Sequence, residues 1–405
     1  MKLLTIHIAC FLILSLDVYS QQVRQIIGRN VGWKTLSDGN NVRVFGFDDN
    51  LSQYPDVPGP TLEFTEGDSV IIDFWKISQG APHTIHLHGL DVNQENDGVP
   101  HLSFEVHHME HGFYRFRAPA AGTYLYHCHV VSSIHVQAGM YGLIVIHPPS
   151  GENYSWEGGY EIHRDHRLFM SEIDTVWHND TVLLHEYDTT SSMHHVKIPI
   201  YDPQHFLVNG LGQSQLIDSV IVTGQVDENI YVRLANIGYY KNIVVLPSGL
   251  NARIVSSDGR PLSTEIETDS VVVYPGERFG VLCQASEEFE SEISVVYSNL
   301  NTGVSVATEV VEVDISGFLG IDDSEHQPEV RISPNPADDF VTIDVLDQEN
   351  DEVLVKLIDP NSRVLDVFQI TQKRTRYDVS YLPSGTFFFY FSRGEEKWTL
   401  KWVKK

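Results

Sequence analysis

Along most of this chain, Val, Ile, Leu, Tyr and Phe recur in short runs that alternate with polar residues, bounded by Gly, Pro, Asn and Asp. A period of two is that of a half-buried β-strand. The segments Phe206-Leu207-Val208-Asn209-Gly210, Ile230-Tyr231-Val232-Arg233-Leu234-Ala235-Asn236, Ser257-Asp258-Gly259-Arg260-Pro261 and Tyr274-Pro275-Gly276-Glu277-Arg278 read as strands with turns. No room is left for a large helical domain. The pattern therefore predicts an all-β protein of packed sandwiches, and 405 residues suffice for two to four domains.

One apolar run breaks the alternation. Leu3 to Leu16 is continuous, follows a basic Lys2, and leads to the small Ser20 before Gln21, so residues 1–20 read as a secretory signal peptide. The run is too short to span a bilayer. Cys10 lies inside it, which leaves Cys128 and Cys283 for the exported chain. Two exported cysteines can pair. However, Cys283 ends the apolar run Arg278-Phe279-Gly280-Val281-Leu282-Cys283, where a lone Cys is a small core residue, and Cys128 has histidines on both sides. No disulfide is expected. The net charge of −28 argues against nucleic acid or an anionic membrane as partner, since both reward positive surface.

Histidine changes the picture. Of 20 histidines, 18 fall between His83 and His205, and Phe206 to Glu325 has none. The stretch His127-Cys128-His129-Val130-Val131-Ser132-Ser133-Ile134-His135-Val136-Gln137-Ala138-Gly139-Met140 holds one thiol, three imidazoles and a thioether. A cysteine thiolate with two histidines and a weak axial methionine is the ligand set of a type 1 copper. The second histidine is found upstream, in His83-Thr84-Ile85-His86-Leu87-His88-Gly89. If both runs are strands, alternation puts His83 and Cys128 on one side, joined by His135 and Met140 from the following loop. His86, His88, His127 and His129 then share the other side.

These residues, with Pro58-Gly59-Pro60-Thr61, Glu66-Gly67-Asp68, Asp97-Gly98-Val99-Pro100 and Gly122-Thr123-Tyr124-Leu125-Tyr126, resemble the multicopper oxidases of the laccase-like family. The resemblance implies tandem cupredoxin-like Greek-key β-sandwiches. It makes His83, Cys128, His135 and Met140 type 1 copper ligands, His86 a type 2 ligand, and His88, His127 and His129 type 3 ligands of a cluster that reduces O2 to water. Asp97 matches the family's proton-relaying carboxylate, although an Asp before Gly is also an ordinary turn former. Two departures stand out. The Cys-to-His and Cys-to-Met separations, seven and twelve residues, are longer than in many laccases. The type 1 ligands also sit in a segment that resembles the family's first domain, whereas three-domain laccases keep them in the last.

The expected organisation is a copper-binding cupredoxin domain over residues 21–150 and a copper-free cupredoxin-like domain over 160–317 that braces its neighbours. Residues 328–405 follow. Their Ile332-Ser333-Pro334-Asn335-Pro336 opening and Leu382-Pro383-Ser384-Gly385-Thr386 resemble the sorting domain of the Bacteroidetes type IX secretion system, a small immunoglobulin-like sandwich. That implies export through a Gram-negative periplasm to the surface or medium. Only half of a trinuclear copper cluster is encoded, because both His-x-His pairs lie in the first domain. His101, His107, His108, His111, His163, His166, His185, His194, His195 and His205 show no ligand spacing and are expected to be solvated or to support the ligands. Three functions follow as expectations. The first is an oxidase whose cluster forms where subunits of a homo-oligomer meet, using O2 and a small-molecule or metal-ion reductant. The others are a type 1 copper electron-transfer or copper-binding protein and a nitrite-reductase-like enzyme.

Overall fold

The structure, a computed structural model, describes residues 20–184, 198–216, 221–316, 330–345, 353–359, 364–394 and 396–405. The expected signal peptide, apart from Ser20, and His185, His194 and His195 lie outside the described residues. Among the described residues no helix is long and apolar enough to cross a membrane.

Eight strands build the first sandwich: β1 (Gln21–Thr35), β2 (Asn41–Asp48), β3 (Leu62–Thr65), β4 (Ser69–Lys76), β5 (His86–His88), β6 (Glu110–Arg117), β7 (Gly122–His127) and β8 (Tyr141–His147). They form two four-stranded sheets, β2-β1-β4-β6 and β3-β8-β7-β5. β1 runs parallel to β4 and β3 parallel to β8, while β7 pairs antiparallel with both β5 and β8. Strand β4 shows why this sequence folds so: Val70, Ile72, Phe74 and Lys76 are buried at every second position. Between the sheets lies a core of Ile26, Phe45, Phe47, Phe74, Ile85, Leu87, Tyr114 and Tyr126 that also contains Cys128 and Met140. The connection from β7 to β8 carries a six-residue helix, α1 (Ser132–Gln137).

The second sandwich runs from Arg164 to Ser316 as a six-stranded and a five-stranded sheet. Strands at Ile230–Asn236 and His205–Val208 fall where the alternation predicts them, and Cys283 is buried and free in its core. The two sandwiches share an apolar interface of Val136, Tyr141 and Leu143 against Phe169, Leu207 and Ile237. Beside it the buried Arg233, paired with Asp165 at 2.7 Å, donates a 3.0 Å hydrogen bond to Thr123 Oγ1. The last sandwich, from Val330 to Lys404, has a three-stranded and a four-stranded sheet around Trp402, Phe389 and Val355. Thus all three units are β-sandwiches, as the alternating pattern predicts.

Candidate metal centres

The first group of donors sits inside the first sandwich. His83 enters it through a bridge to Val106, three residues before β5, and Cys128 follows β7 directly. Cys128 Sγ lies 3.2 Å from His135 Nδ1 and 3.6 Å from His83 Nδ1. A first-row metal bonded at about 2.0 Å to nitrogen and about 2.3 Å to sulfur needs nitrogen–sulfur separations of roughly 3.5 Å. The donor set fits copper, and all three residues are fully buried. The loop is closed by main-chain bonds: Cys128 N–H donates to Met140 C=O and Met140 N–H to His135 C=O, both at 3.0 Å. These bonds bring Met140, itself buried, back beside Cys128. The loop expected to carry His135 is in fact the helix α1, whose first turn starts from a left-handed Val131. Six residues between two ligands give no periodicity to read.

Asn30 on β1 is a functional residue the sequence did not signal. Its Oδ1 lies 2.9 Å from His83 Nε2, so the ring donates there and turns the Nδ1 lone pair towards Cys128. Burial, and then the neighbouring His135 and Lys76, hold His83 well below the usual histidine range. It is therefore neutral, the form that binds metal.

The second group lies on the opposite side of the β5–β7 pair. The register sets His86 opposite His127, and the ring nitrogens of His86, His88 and His127 lie within 4.8 Å of one another. His88 Nδ1 faces His127 Nε2 at 3.3 Å. His129 is adjacent, its ring 5.2 Å from that of His86. His86 Nδ1 donates to Asp97 C=O at 2.7 Å, and His127 Nδ1 to Cys128 C=O at 3.1 Å, which leaves both Nε2 atoms with lone pairs. The Asp97 carboxylate is 3.5 Å from the same His86 nitrogen. Burial lowers His127 to about 3, and burial followed by Arg278 lowers His88 to about 4, so both are neutral near pH 7.

The second sandwich contributes an unforeseen neighbour. Gly276 packs over His88, and Arg278, bonded to Asp258 at 2.9 Å, lies against Gly89. The histidine face is therefore covered at its His88 edge. The remaining described histidines are held by other groups or lie at the surface: His111 pairs with Asp73 at 2.6 Å, His147 with Glu63 at 2.7 Å, and His166 bonds Thr223 C=O at 2.8 Å. His101, His107 and His108 are exposed, His163 Nδ1 accepts from Asn229 N–H at 3.0 Å, and His205 lies 3.9 Å from Asp38.

Comparison with known proteins agrees with this architecture. The family pattern described as multicopper oxidase matches residues 38–151, and a second of the same description matches 171–307. A secretion system C-terminal sorting domain matches 331–405. Laccase-15 of Oryza sativa subsp. japonica is 29% identical over 241 residues, which cover 56% of this chain and 37% of that protein. The chain thus spans at most 38% of the length of the curated relatives compared, and as little as 17% of one of them. Among solved structures, the blue copper oxidase from Nitrosomonas europaea has a TM-score of 0.58 at 22% identity, covering 73% of this chain and 86% of that one. The copper nitrite reductase from Nitrosomonas europaea has 0.55 at 17%, covering 73% and 94%, and both show a common fold. The chain belongs to the multicopper oxidase family, whose members bind copper. Its sorting domain marks it for export, secreted or at the cell surface.

Proposed function

We propose that the protein is a secreted oxidase that passes electrons from a small-molecule or metal-ion reductant through a type 1 copper to a type 2/type 3 cluster, where O2 is reduced to water. One observation carries this reading. The Cys128 thiol sits among His83 and His135, while its chain neighbours His127 and His129 belong to the second group of imidazoles. Two peptide bonds then join the electron-receiving site to the O2 site. Bound copper would supply the one-electron steps between reductant and O2.

In this reading His83, Cys128, His135 and Met140 hold the type 1 copper, His86 is a type 2 ligand, and His88, His127 and His129 are type 3 ligands. Asn30 and the Asp97 carbonyl fix the tautomers of two of them. Reducing O2 to water consumes protons, and Asp97 is the group that delivers them. Its carboxylate is 26% exposed yet faces His86, so it can exchange with solvent and act as a general acid through water. The domains are those of residues 21–150, 160–317 and 328–405. Four imidazoles per chain are half of the eight the family's cluster uses. A two-fold contact doubles any patch, so the cluster forms between subunits of a homo-oligomer.

The purified protein should be blue, and Cys128→Ser should abolish the colour, since it arises from the copper–thiolate bond. A visible band that survives in this variant would remove the type 1 assignment. Asp97→Asn should keep full copper and lose most O2 turnover, with an altered pH profile; an unchanged profile rules out the relay. A nitrite-reductase-like reading has one observation in its favour: His86, His88 and His127 alone form a compact three-imidazole group. It leaves His129 without a role. Two coppers per subunit with nitrite consumption and no O2 uptake would establish it, whereas one copper per subunit and neither activity would indicate electron transfer alone.

A further inference from the structure

The helix α1 that carries His135 has six residues, far fewer than the roughly 12–15 an isolated helix needs to be even marginally stable. Its position is therefore set by what it packs against. On one side His135 faces Cys128 and the ring of Phe45, 5.7 Å away. On the other side Val136 and Gln137 enter the second sandwich.

Gln137 is 5% exposed, and every bond it makes there is to the copper-free domain. Its Nε2 donates to Glu172 C=O and to Tyr201 Oη, each at 3.0 Å, and its Oε1 accepts from Asp174 N–H at 2.8 Å. Tyr201 passes the restraint on by donating to Glu172 Oε1 at 3.0 Å. The same oxygen accepts from the N–H groups of Tyr239 and Tyr240, and the Tyr239 hydroxyl donates to Ser133 C=O at the start of α1. Both ends of the helix are thus tied to one buried carboxylate, two residues to either side of His135.

We propose that Gln137, gripped by Glu172, Asp174 and Tyr201, is the positioning residue through which the copper-free domain sets the geometry of the type 1 copper. This rests on the type 1 reading above. A copper–thiolate centre is sensitive to such restraint, because its potential and spectrum follow ligand placement and the hydrogen bonding around it. The second domain then becomes a tuning element for a metal it does not touch.

The test uses the full copper-loaded chain. Gln137→Met removes the three bonds at similar volume, and Tyr201→Phe removes only the shared hydroxyl, which guards against a Gln137 variant that fails to fold. Glu172→Gln keeps an acceptor at Oε1 and serves as the conservative variant. Tyr297→Phe, which loses a buried 2.6 Å bond to Leu207 C=O within the second core, controls for stability alone. Gln137→Met and Tyr201→Phe should shift the visible band and the copper reduction potential at unchanged copper content, while Glu172→Gln and Tyr297→Phe leave both in place. The inference is overturned if Gln137→Met and Tyr201→Phe match the wild-type band and potential, or if Tyr297→Phe moves them as far. A wild-type protein with no band at all would instead show that the type 1 reading itself had failed.

Discussion

Glu172 is 2% exposed, and burial pushes its carboxyl up to about 7 in spite of the three donors on Oε1. Between its ordinary value of 4.5 and that value the folded chain binds more protons than the unfolded one. Its contribution to stability therefore falls as pH rises through this window, and the full cost, about 3 kcal/mol, is present above pH 7. The buried histidines work the other way, because His83, His88, His127 and His166, held low by burial, resist charging and destabilise the fold as pH falls below 6.5. Comparing melting curves of the metal-free wild type and Glu172→Gln cancels the histidines. The wild type should lose ground to the variant steadily between pH 5 and 7.5; parallel curves would mean that Glu172 does not titrate there. Met140 offers a second residue-level prediction. As a weak axial ligand it tunes potential more than affinity, so Met140→Leu should keep the blue band and raise the potential in a redox titration.

At the level of elements, the strand alternation placed β5 and β7 and told the two donor groups apart, because His86 and His127 are register partners and His83 and Cys128 lie just beyond the strand ends on the other side. Ligand types adjacent in sequence were equally legible, since few structural needs call for a Cys between two histidines. Asn30 and Gln137 were not. Each is a single polar residue that acts through an element brought alongside by tertiary folding, 53 residues from His83 in one case and from a neighbouring domain in the other. The Asp97-Gly98 turn was legible as a motif, and the structure supplies its reason. Gly98 has φ +77°, and a Cβ there would stand 2.0 Å from Ile85 C=O, main chain that cannot yield. Gly158 also has a positive φ, +73°, but meets nothing within 4 Å. Gly158→Ala should cost only the left-handed strain, about 1 kcal/mol. Gly98→Ala should cost clearly more, roughly 2 kcal/mol or above, and should also pull Asp97 off His86, lowering copper content at the second centre. Equal melting temperatures for the two variants would refute the steric account.

At the scale of the whole molecule, the chain builds one fully buried group of donors and one that is partly exposed. His86 and His88 stay partly exposed, while Gly276 and Arg278 shield the His88 edge. The uncovered part, towards His86 and His129, is where a second copy must approach if the cluster is to be completed. An isologous approach there brings eight imidazoles together across the axis and leaves each Cys128 wired to the shared cluster through its own histidines. A ring in which this face met the second domain of a neighbour would have to draw on scattered histidines, since the sequence from 160 to 317 contains no His-x-His run. The two arrangements differ in what dilution and mutation do. If subunits pair through this face, O2 uptake per copper should fall as the protein is diluted through its dissociation range, followed in parallel by sedimentation, while the blue band persists because His83, Cys128, His135 and Met140 all come from one chain. His86→Ala and His129→Ala should each abolish O2 uptake and keep the band. Full turnover by a species that sediments as a monomer would defeat the shared-cluster reading, whatever the colour of the solution.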